Sequence, residues 1–414
     1  MKTSAERRAP YAATSLLALL ALVAGCGGGG GGSSVGASAL SASAPSPSLA
    51  RGTQGNVLAI AVGRANKVNL PMASVTVCVP AGGSCQTVDN VLIDTGSTGL
   101  RIVASAISGL ALTAQNDAIG NAIAVCAQFA DGYAWGSVRT ADVNIAGETA
   151  VALPVQVIAD PAVPPAPAAC TNTGRAIDLV RDLGANGILG INAFRRDCGL
   201  SCEQSASMGI YYACTSSGCQ PAMHSVARQV ANPVALFAAN NNGIIVQLPA
   251  VPASGAPRVE GTLVFGINTQ DNNDIGQVTS VYSISMLTGG VVTYYKGEVF
   301  DHSFFDTGSN ALFFKDASIP TCASGSGFFC APSPQSLVAT VQGMNGTNTN
   351  VSFTVDNADS LIATGSSAFN NLGAPVWSAL TFDWGLPFFY GRRVFVAIEG
   401  ASVRGEQNGP FVAF

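Results

Sequence analysis

Val91-Leu92-Ile93-Asp94-Thr95-Gly96-Ser97-Thr98-Gly99-Leu100 is the stretch from which the fold of this chain is read, because Phe304-Phe305-Asp306-Thr307-Gly308-Ser309-Asn310-Ala311-Leu312 nearly repeats it 212 residues later. In each copy an apolar run, of the kind that forms a buried strand, ends in an aspartate and closes with a Thr-Gly-Ser turn. Each turn would present one carboxylate. Two carboxylates brought together from two halves of a chain can share one proton, since like charges at contact distance resist ionising together. Such a pair is an acid and a base in one place. A lone Asp-Thr-Gly is most often a polar turn capping a strand; the repetition gives these two their weight.

The chain has 414 residues, enough for two lobes with their own cores and more than one ordinary domain needs. Only 10% of residues are charged, against about a quarter in typical domains, and glycine is abundant at 47. That balance points to a β-rich, turn-rich protein of an extracytoplasmic compartment. The net charge is −5 and no Lys/Arg cluster occurs beyond the first eight residues, so no nucleic-acid partner is expected.

Both aspartate segments resemble the active-site loops of pepsin-like aspartic peptidases, which carry one per lobe. The chain is also similar to an uncharacterised bacterial lipoprotein family with the double motif. The resemblance implies a mostly β, bilobal, pepsin-like double β-barrel with a cleft between the lobes. It implies an aspartic endopeptidase in which Asp94 and Asp306 activate a water, the base taking its proton and the acid protonating the peptide carbonyl oxygen. Thr95 and Thr307 would cross-link the two loops, Ser97 and Ser309 would support the carboxylates, and Gly96 and Gly308 would permit the tight turn. Asn186-Gly187-Ile188-Leu189-Gly190-Ile191, with Gly190 96 residues after Asp94, resembles the strand that crosses beneath the aspartate loop in each lobe. A glycine there lets one strand pass close to another backbone. Trp384-Gly385 takes the same place in the second half, with tryptophan where the family has an aliphatic residue.

Residues 126–138 read as a hairpin, with aromatic and β-branched positions around glycines. In the resembled family a hairpin here forms a flap over the cleft, with a tyrosine near its tip. Tyr133 is the flap candidate, three residues before Gly136-Ser137; Phe129 is the alternative, because Ala134 stands where the family has glycine. Arg101 is a second departure, since an aromatic usually follows the leucine of the first loop.

At the amino terminus Lys2, Arg7 and Arg8 precede an apolar run over 16–24, and the run ends Val23-Ala24-Gly25-Cys26. This resembles a lipobox, which implies a signal peptide over 1–25, acylation of Cys26 and anchoring in a bacterial cell envelope. Because Gly27 is not the aspartate that favours inner-membrane retention, the outer membrane is expected over the inner. Losing Lys2, Arg7, Arg8 and Glu6 with the peptide would take the net charge from −5 to −7. The Gly/Ser/Ala-rich stretch that follows is expected to be a tether over 26–54; about 25 such residues reach roughly 25–30 Å. Its formal G-x-S-x-G, at 32–36, has no strand before it or helix after it and is a low-complexity coincidence. The N-terminal lobe is expected over 55–255, with a Cys-rich insertion at 195–232, and the C-terminal lobe over 256–414.

Setting Cys26 aside leaves Cys78, Cys85, Cys126, Cys170, Cys198, Cys202, Cys214, Cys219, Cys322 and Cys330, an even number suited to five disulfides in an oxidising compartment. Cys78 with Cys85 and Cys322 with Cys330 are short-range candidates. Pairing within 198–219 stays open, which leaves Cys126 and Cys170. With only His224 and His302 and no paired C-x-x-C, no metal site is expected, and no cofactor is called for. A Ser-His-Asp hydrolase lacks its nucleophile motif, and His302 reads as a strand-edge residue. The expected partners are a peptide or protein substrate and, through the lipid alone, a membrane; a monomer is expected. The other function class is a non-catalytic surface lipoprotein using the same scaffold as a binding or structural module. A pure binder has no need of an intact aspartate pair.

Overall fold

The computed structural model describes residues 55–63, 67–276, 278, 280–376 and 378–414. The signal peptide, Cys26 and the tether lie outside these. The protein is mostly β, with 44% strand against 11% helix, in two barrel-shaped sheets that make a bilobal double β-barrel. Strand character follows from local pattern. In Pro71–Cys78, Ala73, Val75 and Val77 face inward while Ser74 faces water, the period of two that one-sided burial demands. Gly187–Ile191 is buried along its whole length, as an apolar strand covered on both faces must be.

Both halves of the chain contribute to one continuous platform. Val57–Val62 pairs antiparallel with Val259–Phe265, which pairs with Gly243–Leu248; that strand pairs with Arg392–Ala397, and this in turn with Phe411–Ala413. The stretch over 248–261 is therefore the connection between two neighbouring strands of the shared platform. The Cys-rich stretch does more than loop outward. Tyr211–Thr215 and Gly218–Pro221 form a hairpin that extends the first-half sheet by pairing with Ala122–Phe129. Five disulfides close the chain: Cys78–Cys85, Cys126–Cys170, Cys198–Cys202, Cys214–Cys219 and Cys322–Cys330.

One crossing device occurs twice. In the first half Gly187–Ile191 runs parallel to Cys85–Asp94, with Leu92 opposite Ile188 and Asp94 opposite Gly190, and antiparallel to Thr98–Val103. In the second half Asp383–Gly385 runs parallel to Glu298–Asp306, with Phe304 opposite Asp383 and Asp306 opposite Gly385, and antiparallel to Leu312–Phe313. A Cβ on Gly190 would stand 2.8 Å from Ser97 Oγ, and one on Gly385 would collide with the Ala311 carbonyl. Opposite each aspartate the crossing strand thus carries a glycine, because the loop that follows the aspartate leaves no room for a side chain there.

The halves fill their interiors differently. Around the first loop the core is aliphatic, with Val91, Ile93, Leu100 and Leu189 all fully buried. The second half stacks aromatics: Phe382 lies 4.4 Å from Trp384 and 5.0 Å from Phe314 between ring centroids. Trp384 is fully buried and its indole N–H donates to Thr293 Oγ1 at 3.1 Å. The tryptophan that replaces an aliphatic residue before Gly385 therefore belongs to an aromatic core.

Candidate active site

Asp94 ends one strand and Asp306 another, and the two loops that follow interlock. Thr95 Oγ1 accepts from Thr307 N–H at 3.0 Å and donates to Phe305 C=O at 2.9 Å. Thr307 Oγ1 accepts from Thr95 N–H at 3.1 Å and donates to Ile93 C=O at 2.7 Å. Both threonines are buried, at 5% and 0% exposure, so these four bonds are shielded from water and fix the loops against each other.

The interlock brings the carboxyls together. Gly96 and Ser97 donate their N–H groups to Asp94 Oδ1 at 2.7 and 3.1 Å, and Ser97 Oγ donates to Asp94 Oδ2 at 2.5 Å. Gly308 N–H donates to Asp306 Oδ1 at 2.7 Å, and Ser309 Oγ donates to Asp306 Oδ2 at 2.8 Å. Both carboxyls border Gly308, where a Cβ would stand 2.9 Å from Asp94 Oδ1 and 3.1 Å from Asp306 Oδ1. A Cβ on Gly96 would lie 2.5 Å from Asp306 Cγ, and one on Gly308 would lie 2.9 Å from Asp94 Cγ. Each loop's glycine therefore leaves room for the other loop's carboxyl. Burial, then the neighbouring Asp94 carboxyl, then Asp383 hold Asp306 well above the usual carboxylate range.

A cleft of about 1230 Å³ opens beside the first loop. Its lining includes Gly96, Ser97, Phe129, Phe194 and Arg196 from the first half and Met286 and Leu287 from the second, but neither carboxyl. Asp94 is 5% exposed and Asp306 half-buried.

Phe129 thus stands at the cleft, on the strand Ala122–Phe129. Tyr133 does not. Its ring packs among Cys126, Trp135, Cys170 and Tyr212, and its backbone is bonded on both sides, Tyr133 N–H to Arg175 C=O and Ile177 N–H to Tyr133 C=O, each at 2.9 Å. The hairpin tip is pinned further by Arg175 on Asp131 at 3.5 Å and by the Cys126–Cys170 disulfide. Tyr133→Ala is expected to cost about 3 kcal/mol of stability by leaving a cavity, read as a lowered urea midpoint. His302 is exposed on its strand, 3.9 Å from Asp301, and His224 is buried with Nε2 at 3.0 Å from Arg228 C=O. Neither histidine joins the aspartates.

Three features escaped sequence reasoning. Arg101 is buried and ion-pairs with Asp197 at 3.0 Å, while its other Nη donates to Gln156 Oε1 at 2.6 Å. Asp197 also accepts from Tyr211 O–H at 2.5 Å. The arginine after the first loop is thus matched by partners from the Cys-rich stretch, so the two oddities of the sequence explain each other. Asn192, two residues past Gly190, accepts from Thr98 Oγ1 at 2.7 Å and ties the crossing strand to the loop. The third is Asp383, fully buried and two residues before Gly385. Setting Gly385 over Gly190 in the two repeats puts an aspartate where Ile188 stands, and that was the available signal.

The buried carboxyls also set the pH dependence of stability. Burial raises Asp178, Asp197, Asp306 and Asp383 above the ordinary 3.8, although Arg101 opposes it at Asp197. Between that value and their folded values the folded state holds more protons than the unfolded one, so their contribution is full below 3.8 and is lost as pH rises. Asp160 and Asp316 act oppositely. Despite burial, hydrogen bonds led by Ser137 lower Asp160, and bonds led by Ser318 bring Asp316 to about 2, so their stabilisation is lost as pH falls below 3.8. Burial lowers His224 from 6.5, one further loss as the pH falls. Four raised carboxyls outweigh one histidine, and thermal stability is expected to peak at about pH 4 and decline toward pH 7. A maximum at neutral pH would contradict this balance.

No curated protein matches the chain. Membership of the pepsin-like peptidases, which the two Asp-Thr-Gly loops suggested, is wrong: the family model that matches is a different one, and it spans both loops and the crossing strands. Short loop motifs carried that resemblance, whereas the match runs along the whole folded part of the sequence. Over residues 52–414 the chain matches, and belongs to, the family described as "Protein of unknown function (DUF3443)".

Proposed function

We propose that this protein is an endopeptidase that hydrolyses peptide bonds with a water held between Asp94 and Asp306. The supporting observation is the Thr95 and Thr307 interlock, which brings each carboxyl beside the glycine of the other loop. Asp94 acts as base and takes a proton from the water while its oxygen attacks the carbonyl carbon; Asp306 acts as acid and gives its proton to the carbonyl oxygen. Collapse of the resulting diol returns a proton to Asp306, and the proton on Asp94 passes to the leaving amine. The pair ends as it began, with no covalent bond to the protein.

A peptide carrying a statine hydroxyl mimics that diol. It is expected to raise the melting temperature of the protein, and by more at pH 4 than at pH 7, because the complex needs the shared proton. No shift at any pH would speak for a binding or structural module. Phe129→Ala is expected to lower turnover several-fold with a smaller loss of melting temperature than Tyr133→Ala, since Phe129 borders the cleft and is only partly buried against the neighbouring core, while Tyr133 packs inside. Equal turnover in the variant would remove Phe129 from the site.

The same proposal extends to place. Acylation at Cys26 would tether the enzyme to the bacterial envelope, with the outer membrane favoured. Cys26→Ser is expected to release the protein from membrane fractions, and mass spectrometry showing an unmodified Cys26 in the mature protein would count against the tether.

A further inference from the structure

The cleft that Gly96 and Ser97 border is also lined by Arg196, a cation whose backbone is held on both sides. Arg196 bridges Ala231 antiparallel; beside it Asn232 N–H donates to Arg195 C=O and Asp197 N–H to Val230 C=O, each at 3.1 Å. The side chain is half-buried and makes one hydrogen bond, from Nη1 to Gln229 C=O at 3.1 Å. Among the described residues the guanidinium forms no ion pair.

The acids nearby have partners of their own. Asp197 Oδ2 pairs with Arg101 at 3.0 Å and its Oδ1 accepts from Tyr211 O–H at 2.5 Å, so both of its oxygens are taken. Glu399 Oε1 accepts from Arg195 N–H at 2.8 Å, and Arg195 Nε donates to Glu399 C=O at 3.0 Å. Glu203 is exposed, and its Oε1 accepts from Val226 N–H at 3.0 Å. Three arginines and three acids line the cleft, so no net charge selects a ligand there. Placement does. A half-buried charge acts through less water and salt than an exposed one, and Arg196 is the half-buried cation that lacks a counter-charge. Burial pulls it below the usual arginine range, with Tyr211 and Asp197 opposing, as befits a cation that has lost water without gaining a full partner.

We propose that Arg196 is a specificity-determining residue: its free guanidinium N–H groups hold a carboxylate of the substrate, so that the cleft selects peptides carrying an acidic side chain or a free carboxyl terminus. This deepens, and rests on, the endopeptidase reading. A guanidinium presents its N–H groups as a planar fork that meets both oxygens of a carboxylate, and such a charge-assisted pair is among the stronger polar contacts. The free protein supplies no carboxylate for that fork; a bound peptide would.

The test uses the full protein and end-blocked peptides that differ at one position, glutamate against glutamine, at about pH 5.5, where a peptide glutamate is ionised. Wild type is expected to cleave the glutamate peptides with kcat/KM about tenfold above their glutamine counterparts. Arg196→Gln is expected to bring that ratio to about one, and Arg196→Lys, which keeps the charge and loses the fork, to retain part of it. A second series without acidic residues compares free with amidated carboxyl termini; an advantage of about tenfold confined to the free terminus assigns the same contact to the terminal carboxylate. A merely structural arginine would slow all peptides alike in Arg196→Gln and leave the ratios as they were. The proposal is overturned by a preference that survives Arg196→Gln, or by equal cleavage in both series. If nothing is cleaved, the hydrolytic proposal fails, and fluorescence anisotropy of the same peptides, labelled, on the wild-type protein decides the contact. Binding about tenfold tighter for the carboxylate-bearing member of a pair supports it, and equal or absent binding overturns it.

Discussion

Asp94→Asn and Asp306→Asn are each expected to abolish peptide cleavage, by about 10⁴-fold or more, with the double variant no worse than either single one. At about 1.36 kcal/mol per tenfold this is a loss of some 5–6 kcal/mol of transition-state stabilisation. The prediction follows from the pair acting as a unit: an amide can neither take a proton from water nor pass one to the carbonyl oxygen. The fold should survive. At position 94 the amide oxygen can still accept the Gly96 and Ser97 N–H groups that Asp94 Oδ1 accepts, and the amide nitrogen can donate to the Ser97 hydroxyl oxygen. Circular dichroism and urea midpoints near those of the wild type, beside lost turnover, are the expected pattern. Turnover that persists in either variant would separate cleavage from the pair.

Thr307→Val is expected to cost about 2–6 kcal/mol of folding stability, measured as a drop in the urea midpoint. Valine has the shape of threonine but leaves Thr95 N–H without its acceptor and Ile93 C=O without its donor, and both backbone groups are buried beside the site. Each stranded group costs about 1–3 kcal/mol, against a total stability of about 5–15 kcal/mol for a typical domain. Thr307→Ser restores both bonds and should recover most of the loss. Thr95→Val mirrors the effect through Thr307 N–H and Phe305 C=O. If Thr307→Val unfolds no more readily than Thr307→Ser, the interlock does not hold the two loops together.

Much of this architecture could be read locally. The apolar runs before each Asp-Thr-Gly, the glycine at 190 and the spacing between the copies mark strands and turns whose geometry depends on neighbouring residues and on which positions tolerate no side chain. The double barrel was expected from the resemblance that the two loops carry, not from the pattern itself. The kinship drawn from the same loops failed, because a short motif records a local solution to holding a carboxyl and says little about descent. Tyr133 shows a different limit. Its distance from Gly136-Ser137 matched a flap, but the segment that pins the tip, around Arg175 and Cys170, comes forty residues later and left no periodic mark. Arg101 and Asp383 were hidden for a related reason. A charge inside an apolar strand is interpretable only with its surroundings: Asp197, which pairs with Arg101, is far away in sequence, and the Asp383 carboxyl has no hydrogen-bond partner among the described residues.

The central claim is that two aspartates, one from each half of the chain, hydrolyse peptide bonds through one shared proton. Its most direct test is to incubate the purified mature protein with a mixture of peptides from pH 3 to 7, with and without a statine-containing peptide, and to follow the products by mass spectrometry. The expected result is cleavage at internal bonds, fastest in acid, declining as the proton on Asp306 is lost at higher pH and suppressed by the statine peptide. Peptides left intact at every pH, or cut at a rate that the statine peptide does not change, would contradict it.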